Sequence, residues 1–316
     1  MKPAWTAGVV RARLLLSRTI GAGLADKVAA SPSLDDGLAA LAGSAYGERV
    51  RAGQDLVAAQ RGVAETLLWH LRILAGWLPA GGAALMRVLA GWFELANIDA
   101  RLAALAGGGR EPSPFALGTL ATVWPAAERA RTIEELGGVL ARSSWDVPRA
   151  RVPAELAIGL RVAWARRVRD AAPQARDWVE GAGALLAARE LLVARSRVHS
   201  EQLLRFPGID ARVLAADTLA ELRAAVGPKA SWVLDAISES TELWRGELAW
   251  WDRVEDDAHA LLRQTDDEPP VLASVALLAV DAQRTARALQ SAALGLASEA
   301  DEIFPGPRVE RFDGAV

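Results

Sequence analysis

Ser33-Leu34-Asp35-Asp36-Gly37-Leu38 is the first of three stretches that begin alike, followed by Thr132-Ile133-Glu134-Glu135-Leu136 and Thr218-Leu219-Ala220-Glu221-Leu222. In each stretch a Ser or Thr precedes an acidic residue by three positions, which is the pattern of a capping box at the start of an α-helix. We therefore predict structural helix caps at Ser33 with Asp36, at Thr132 with Glu135 and at Thr218 with Glu221. The first and second caps are 99 residues apart, and the second and third are 86 apart.

Each capped stretch has a similar sequel. An apolar run follows the cap, then small residues, then an aromatic residue, which is Tyr46, Trp145 or Trp232. Further along each third of the chain a polar residue interrupts an apolar helical pattern, and these residues are Asn97, Glu190 and Asp281. Because polar groups in apolar helices need partners, the three either tie helices together within each unit or line a shared axial cavity.

The recurring order of elements predicts a repeated architecture. We divide the chain into three helical units, residues 1–110, 111–205 and 206–300, and a flexible tail at 301–316. Clusters of Pro and Gly, such as Gly107-Gly108-Gly109, mark loops between the predicted helices. The competing interpretation is that helices rich in Ala and Leu resemble one another without any repeat.

The composition favours a soluble, all-α protein. Of the 316 residues 52% are hydrophobic, mostly the strong helix formers Ala and Leu, while one Tyr and five Phe leave little material for strands. The absence of Cys excludes disulfides and thiolate metal sites, and a net charge of −3 does not suggest nucleic-acid binding. Residues 66–93 are apolar but interrupted by Arg72, Pro79 and Arg87, so we predict a buried helical hairpin there and a cytoplasmic location.

The sequence contains none of the catalytic or cofactor-binding motifs that we considered. It has no phosphate-binding P-loop and no nucleophile elbow, and His70, His199 and His259 each lack a second ligand at metal spacing. We therefore predict no catalytic residue, no cofactor and no metal. Five arginines between Arg161 and Arg176 surround Trp164. They form either a solvated helix face or a surface for an acidic protein partner; nucleic acid is the third alternative, and a basic groove for it would need more such segments.

The order of these motifs resembles that of a known family, the C subunit of V/A-type rotary ATPases, called subunit d in eukaryotes. Five stretches carry the resemblance, namely residues 9–15, residues 33–38 with Tyr46-Gly47, residues 97–105, residues 115–120, and residues 270–288 with Gly295-Leu296. The family usually has Asn where Ala100 stands, Arg where Ala106 stands and Glu where Asp281 stands. The likeness covers mainly the first 120 and the last 45 residues.

The resemblance implies both an architecture and a function. Three pseudo-equivalent helical units would surround a central funnel at the inner face of the cell membrane, and the funnel would receive the foot of the central stalk. The protein would be a non-catalytic connector that couples the rotating stalk to the proteolipid ring during proton or sodium transport. It would meet the membrane only through these partners. The alternative is an all-helical scaffold or adaptor of another protein assembly.

Overall fold

Helices make up most of this chain. The computed structural model describes residues 3–109, 111–150, 152–196, 200–264 and 268–295, so the tail predicted at 301–316 lies outside the described residues. Of the described residues 72% are helical, and none of them lies in a strand. The predicted all-α class is confirmed.

Long helices alternate with groups of short ones. In chain order the α-helices of the described ranges are α1 (Pro3–Leu16), α2 (Gly21–Ala29), α3 (Leu34–Leu41), α4 (Leu56–Trp77), α5 (Ala80–Leu89), α6 (Gly91–Leu105), α7 (Trp124–Ala127), α8 (Ile133–Ala141), α9 (Pro153–Ala171), α10 (Arg176–Ala188), α11 (Ser200–Leu203), α12 (Ala211–Leu214), α13 (Leu219–Ala225), α14 (Pro228–Ser231), α15 (Leu243–Leu262) and α16 (Pro269–Leu294). Turns of 3₁₀ helix lie at Gly118–Leu120, Pro173–Ala175, Trp232–Leu234 and Ser240–Glu242, and a π-helical turn, Arg189–Val193, follows α10.

Three short helices, α3, α8 and α13, begin at Ser33, Thr132 and Thr218. Each of these residues has an extended backbone, and its side-chain oxygen accepts a hydrogen bond from the N–H three residues further on. The three distances are 3.2, 3.1 and 3.2 Å. Each cap therefore satisfies one of the N–H groups that the first turn of a helix leaves without an intrahelical partner.

The acidic residue of each stretch acts differently. Glu221 accepts from the N–H of its own cap residue at 3.2 Å, which makes a complete capping box. Glu135 accepts instead from the N–H of Arg131, one residue before the cap, at 2.7 Å. Asp36 has one methylene fewer than a Glu, and it accepts from the hydroxyl of the cap residue at 2.6 Å. Glu221 also accepts from the N–H of Asp217, one residue before its cap, at 2.8 Å, so the two glutamates share this donor and only the shorter Asp36 differs.

Close contacts divide the chain into two compact units. The large unit comprises Met1–Arg11 and Leu71–Ala273, and the small unit comprises Ala12–His70 and Ser274–Val316. The large unit contains α8 and α13, whereas the small unit contains α3. These borders do not coincide with those inferred from the repeat, and the division into three units stays a prediction.

Each unit has its own apolar core. In the small unit Val28, Leu38, Leu41, Val63 and Leu289 belong to one cluster and are at most 2% exposed. In the large unit α9 packs against α5 and α6, and α15 packs against α10. Burial of each such aliphatic side chain contributes roughly 1.5–3 kcal/mol, so these contacts supply the main stabilisation.

Over the described residues no helix is long and apolar enough to span a bilayer. The apolar region at 66–93 is divided between α4, α5 and the start of α6. The break falls at Pro79, whose extended backbone precedes α5. This is where a residue without an N–H donor is expected to separate two helices.

Three long helices, α4, α9 and α15, each carry a glycine at a close approach. A Cβ added at Gly62 would lie 2.8 Å from the carbonyl oxygen of Arg49. A Cβ at Gly159 would lie 2.8 Å from Cγ1 of Val147, and one at Gly246 would lie 2.6 Å from the carbonyl oxygen of Val233. Each contacted residue follows shortly after Tyr46, Trp145 or Trp232. The chain after each aromatic residue therefore packs directly on the backbone of the next long helix.

The substitution Gly62→Ala tests this approach. Its methyl group would overlap a backbone carbonyl that cannot rotate away, so we expect the free energy of unfolding to fall by about 1–3 kcal/mol. Gly76→Ala is the matched control in the same helix, because no atom lies within 4 Å of a Cβ at Gly76. It should stabilise the protein by roughly 0.5–1 kcal/mol. Urea denaturation measures both, and equal effects would contradict the packing.

A carboxylate latch as the candidate functional site

Glu94 on α6 is a buried carboxylate that holds the start of another helix. It is 1% exposed, and one of its oxygens accepts from the N–H groups of Thr122, Val123 and Trp124 at 2.7–2.8 Å. Its other oxygen accepts from the Thr122 hydroxyl and from the indole N–H of Trp145, which is shared between this carboxylate at 3.3 Å and the Thr122 hydroxyl oxygen at 2.9 Å. No side chain at the N-cap of α7 fills this role. Glu94 therefore caps α7 from outside and satisfies its own charge with five donors.

Asp281 on α16 is a second buried carboxylate, and it caps the start of α2. It is 3% exposed and accepts from the N–H groups of Gly21 at 2.9 Å and Ile20 at 3.2 Å. The hydroxyl of Tyr46 donates to it at 2.8 Å. Burial, followed by the charge of Asp281, raises the pKa of Tyr46, which keeps the hydroxyl protonated as a donor. The helix α2 has no side-chain cap of its own.

We call this arrangement a latch. It consists of a carboxylate on a long helix, the N–H groups at the start of a short helix, and the aromatic donor that follows the next, capped helix. A turn with the same hydrogen bonds precedes each of the two aromatic residues. Ser44 and Ser143 each donate to a carbonyl three residues back, at 2.7 and 2.8 Å, and accept from the N–H of Tyr46 and Trp145, both at 3.1 Å. All these positions differ by 99 in number.

A third carboxylate occupies the corresponding position on α10. Trp92 and Glu94 recur 86 residues later as Trp178 and Glu180, the same offset that relates the caps Thr132 and Thr218. Glu180 lies beside the loop before α12, where a Cβ at Gly208 would be 3.4 Å from its Cγ. No hydrogen bond or ion pair among the described residues uses its carboxylate. The third latch is therefore not formed.

Two substitutes replace this latch at α12. Asp210 caps α12 itself, since it accepts from the N–H groups of Arg212 at 2.8 Å and Val213 at 3.2 Å. Trp232, the aromatic residue of the third stretch, donates to the carbonyl of Lys229 at 2.7 Å instead of to a carboxylate. The Arg212 guanidinium lowers the pKa of Asp210, so this cap stays ionised near neutral pH.

In the helices that follow, Trp164 and Trp250 are 86 residues apart, and so are Arg167 and Arg253, while their partners are 90 apart for the carbonyls and 87 for the rings. Trp164 on α9 donates to the carbonyl of Val88 at 2.9 Å, and Trp250 on α15 donates to that of Trp178 at 2.7 Å. The guanidinium of Arg167 lies 4.9 Å from the ring centre of Trp145, and that of Arg253 lies 5.4 Å from that of Trp232. Burial lowers the pKa of Arg167. We define a module as a capped helix, its aromatic residue and the long helix after it.

The three polar residues singled out from the sequence have different surroundings. Asp281 belongs to a latch. Asn97 is 2% exposed, and its amide exchanges two hydrogen bonds with the backbone of Phe115, at 2.7 and 3.0 Å. Glu190 is half-buried in the π-helical turn, and its carboxylate has no hydrogen-bond partner among the described residues. Thus Asn97 and Asp281 tie segments together, and Glu190 does not.

Sequence reasoning overlooked Glu94 and Glu180. The signal that identifies them is the recurrence of Trp-x-Glu at the same offset of 86 as the second and third caps. An acidic residue in the first turn of α6 is also what the helix dipole favours, so Glu94 alone gives no reason to expect a buried charge.

The arginines of α9 are largely engaged within the large unit. Arg161 pairs with Asp99 at 2.8 Å, Arg166 with Asp146 at 3.9 Å and Arg169 with Asp170 at 3.2 Å. Burial raises the pKa of Asp99, and the charge of Arg161 opposes this rise. The described residues contain no group of His, Asp and Glu that would hold a metal ion, and His199 lies outside them.

No protein-family model matches the sequence, and no curated protein matches it. The latch geometry and the order of the sequence motifs are therefore the observations from which a function has to be argued. Chemically, the latches hold helices in fixed positions.

Glu94→Gln is expected to lower the free energy of unfolding by about 2–4 kcal/mol, because an amide NH₂ would face N–H donors in a buried place. Glu180→Gln is the matched control, since its carboxylate is half-buried and without a partner. It should change stability by no more than about 0.5 kcal/mol. Chemical denaturation compares the two, and a tolerated Glu94→Gln would show that the carboxylate does not cap α7.

Tyr46→Phe and Asp281→Asn test the latch of the small unit. Each alone should cost about 1–3 kcal/mol, because each leaves a buried polar group without its partner. Together they should cost less than the sum by roughly 1 kcal/mol, since the second change removes a bond already lost. A double-mutant cycle from urea denaturation gives this coupling free energy. Strict additivity would mean that the two side chains do not interact.

Proposed function

We propose that this chain is a non-catalytic connector in the central stalk of a V/A-type rotary ATPase. In this role it couples the rotating stalk to the proteolipid ring, during transport of protons or sodium ions, at the cytoplasmic face of the membrane. The observation that carries the proposal is the recurrence of one helical module, whose caps at Ser33, Thr132 and Thr218 are 99 and 86 residues apart. A protein of three pseudo-equivalent helical units is what the resemblance implies.

Two of the stretches that carry the resemblance also supply residues to the latch of the small unit. The stretch at 33–38 with Tyr46 supplies the capped helix and the aromatic donor of the first module. The closing stretch at 270–288 supplies Asp281, which stands where the family usually has Glu. Two motifs more than 200 residues apart in sequence thus meet through one hydrogen bond of 2.8 Å. This contact supports the view that the motifs belong together.

The mechanical properties of the latches suit a connector. A part that transmits torque has to keep its shape under load, and a close-packed interior resists deformation. Buried charges with every donor and acceptor satisfied also rigidify the elements that they join. Glu94 and Asp281 fix the starts of α7 and α2 in this way, and three glycines bring the chain onto long helices.

The proposal predicts the partners of the chain. The full-length protein, tagged and purified from membranes of its own cells in a mild detergent, should bring along stalk subunits and the proteolipid. Mass spectrometry identifies them, and an unrelated tagged cytoplasmic protein is the control. Recovery of neither stalk nor proteolipid from an intact complex would overturn the proposal. Recovery of a different assembly would favour the scaffold alternative.

A transport measurement separates a connector from a catalytic subunit. Membrane vesicles from cells without this chain should retain ATP hydrolysis by the head but lose ATP-driven ion uptake. Adding back the wild-type gene should restore uptake. If ion uptake is unchanged in vesicles without the chain, it does not couple the stalk to the ring.

A further inference from the structure

The start of α12 carries two carboxylates, whereas α2 and α7 each depend on one. Asp210 supplies the cap seen in this structure, and Glu180 reaches the same place from α10. The Glu180 side chain packs on Gly208, with its Cδ 3.8 Å from where a Cβ of that glycine would stand. Its carboxylate therefore lies close to α12 without bonding to it.

The N–H groups that a latch would use are open at α12. In the formed latches the donors include the N-cap and first helical residues, which are Ile20 and Gly21 in α2 and Val123 and Trp124 in α7. The counterparts in α12 are Asp210 and Ala211, and no hydrogen bond among the described residues uses their N–H groups. The side chain of Asp210 takes the next two N–H groups, so both carboxylates have donors available.

Glu180 also lines a cleft that contains cationic side chains. This open cleft has a volume of about 480 Å³, and its other lining residues are Arg169, Asp170, Pro173, Arg176 and Lys229. Neither Arg176 nor Lys229 forms an ion pair within the described residues. The cations of the cleft, which outnumber its one other carboxylate, Asp170, attract Glu180, and at the start of α12 Glu180 would meet the carboxylate of Asp210, which is paired with Arg212 at 2.8 Å.

We infer that the third module contains a latch with two positions, and that this structure holds it open. In the closed position the Glu180 carboxylate accepts from the N–H groups of Asp210 and Ala211, as Glu94 and Asp281 do at their helices. Rotation of one side chain converts one position into the other. The inference rests on the comparison of the modules and does not depend on the proposed function. It makes the segment around α12 the most easily released of the three.

Asp210→Asn isolates the repulsion. An Asn side chain caps a helix about as well as Asp, so the cap on α12 is kept while its charge is removed. Amide hydrogen exchange at residues 210 and 211 should then slow by about tenfold, because closure of Glu180 protects these N–H groups. Site-resolved exchange by NMR or fragmentation mass spectrometry on the full-length chain provides the measurement.

Two further variants make the result specific to Glu180. The double variant Asp210→Asn, Glu180→Gln should exchange at the wild-type rate, and Glu180→Gln alone should change nothing. In the wild-type chain residues 210 and 211 should exchange at least about tenfold faster than Val123 and Trp124. Equal exchange in Asp210→Asn and in the double variant would overturn the inference. So would wild-type exchange at 210 and 211 as slow as that at Val123 and Trp124.

Discussion

A buried carboxylate has to be satisfied completely, and this requirement governs the arrangement of helices around Glu94 and Asp281. An ionised carboxylate removed from water costs far more than any single hydrogen bond returns, so its place in the fold is fixed by where donors converge. The start of a helix offers several N–H groups in one direction. Each carboxylate therefore joins a long helix to the start of a short one, and the aromatic donor adds the segment after the next helix. One charge thus positions three pieces of chain.

In the third module the short helix α12 is capped by its own N-cap residue, and no carboxylate from another helix among the described residues bonds to it. Asp210 meets the donors at positions two and three of α12 from within the same short segment, which needs no partner from α10. A local cap and a distant carboxylate compete electrostatically, since both are anions at one helix start. Trp232 correspondingly donates to the carbonyl of Lys229, so the carboxylate and the aromatic donor are released together. The module keeps its capped helix, its glycine and its stacked arginine, so the packing of a module is separable from its latch.

What the sequence predicts well here is local. The caps at Ser33, Thr132 and Thr218 depend on atoms within four residues of one another, and helix content follows from Ala and Leu. The donor that the acidic residue meets is less predictable, because Glu135 and Glu221 have the same side chain and yet only Glu221 accepts from the N–H of its own cap residue. The latch depends on contacts between residues 28 to 261 apart in sequence. No local pattern specifies such contacts. Asn97 and Glu190 stand out in the sequence because each interrupts an apolar helical pattern. Glu94 follows two aromatic residues at the start of its helix, where an acidic residue is ordinary.

The modules also differ in whether the carboxylate comes before or after its capped helix in the sequence. Glu94 precedes its capped helix α8, and Glu180 likewise precedes α13, but the carboxylate that serves α3 comes from α16 near the other end of the chain. The first module therefore lacks its latch until Asp281 has been synthesised. Closing so long a loop costs chain entropy before the contact returns any stabilisation. Burial of Tyr46, Leu38 and Leu289 in the same cluster provides that return, because the aromatic donor is itself part of the apolar core. In the small unit the same cluster therefore joins α2 and α3 to α16 and holds the Asp281 latch in place.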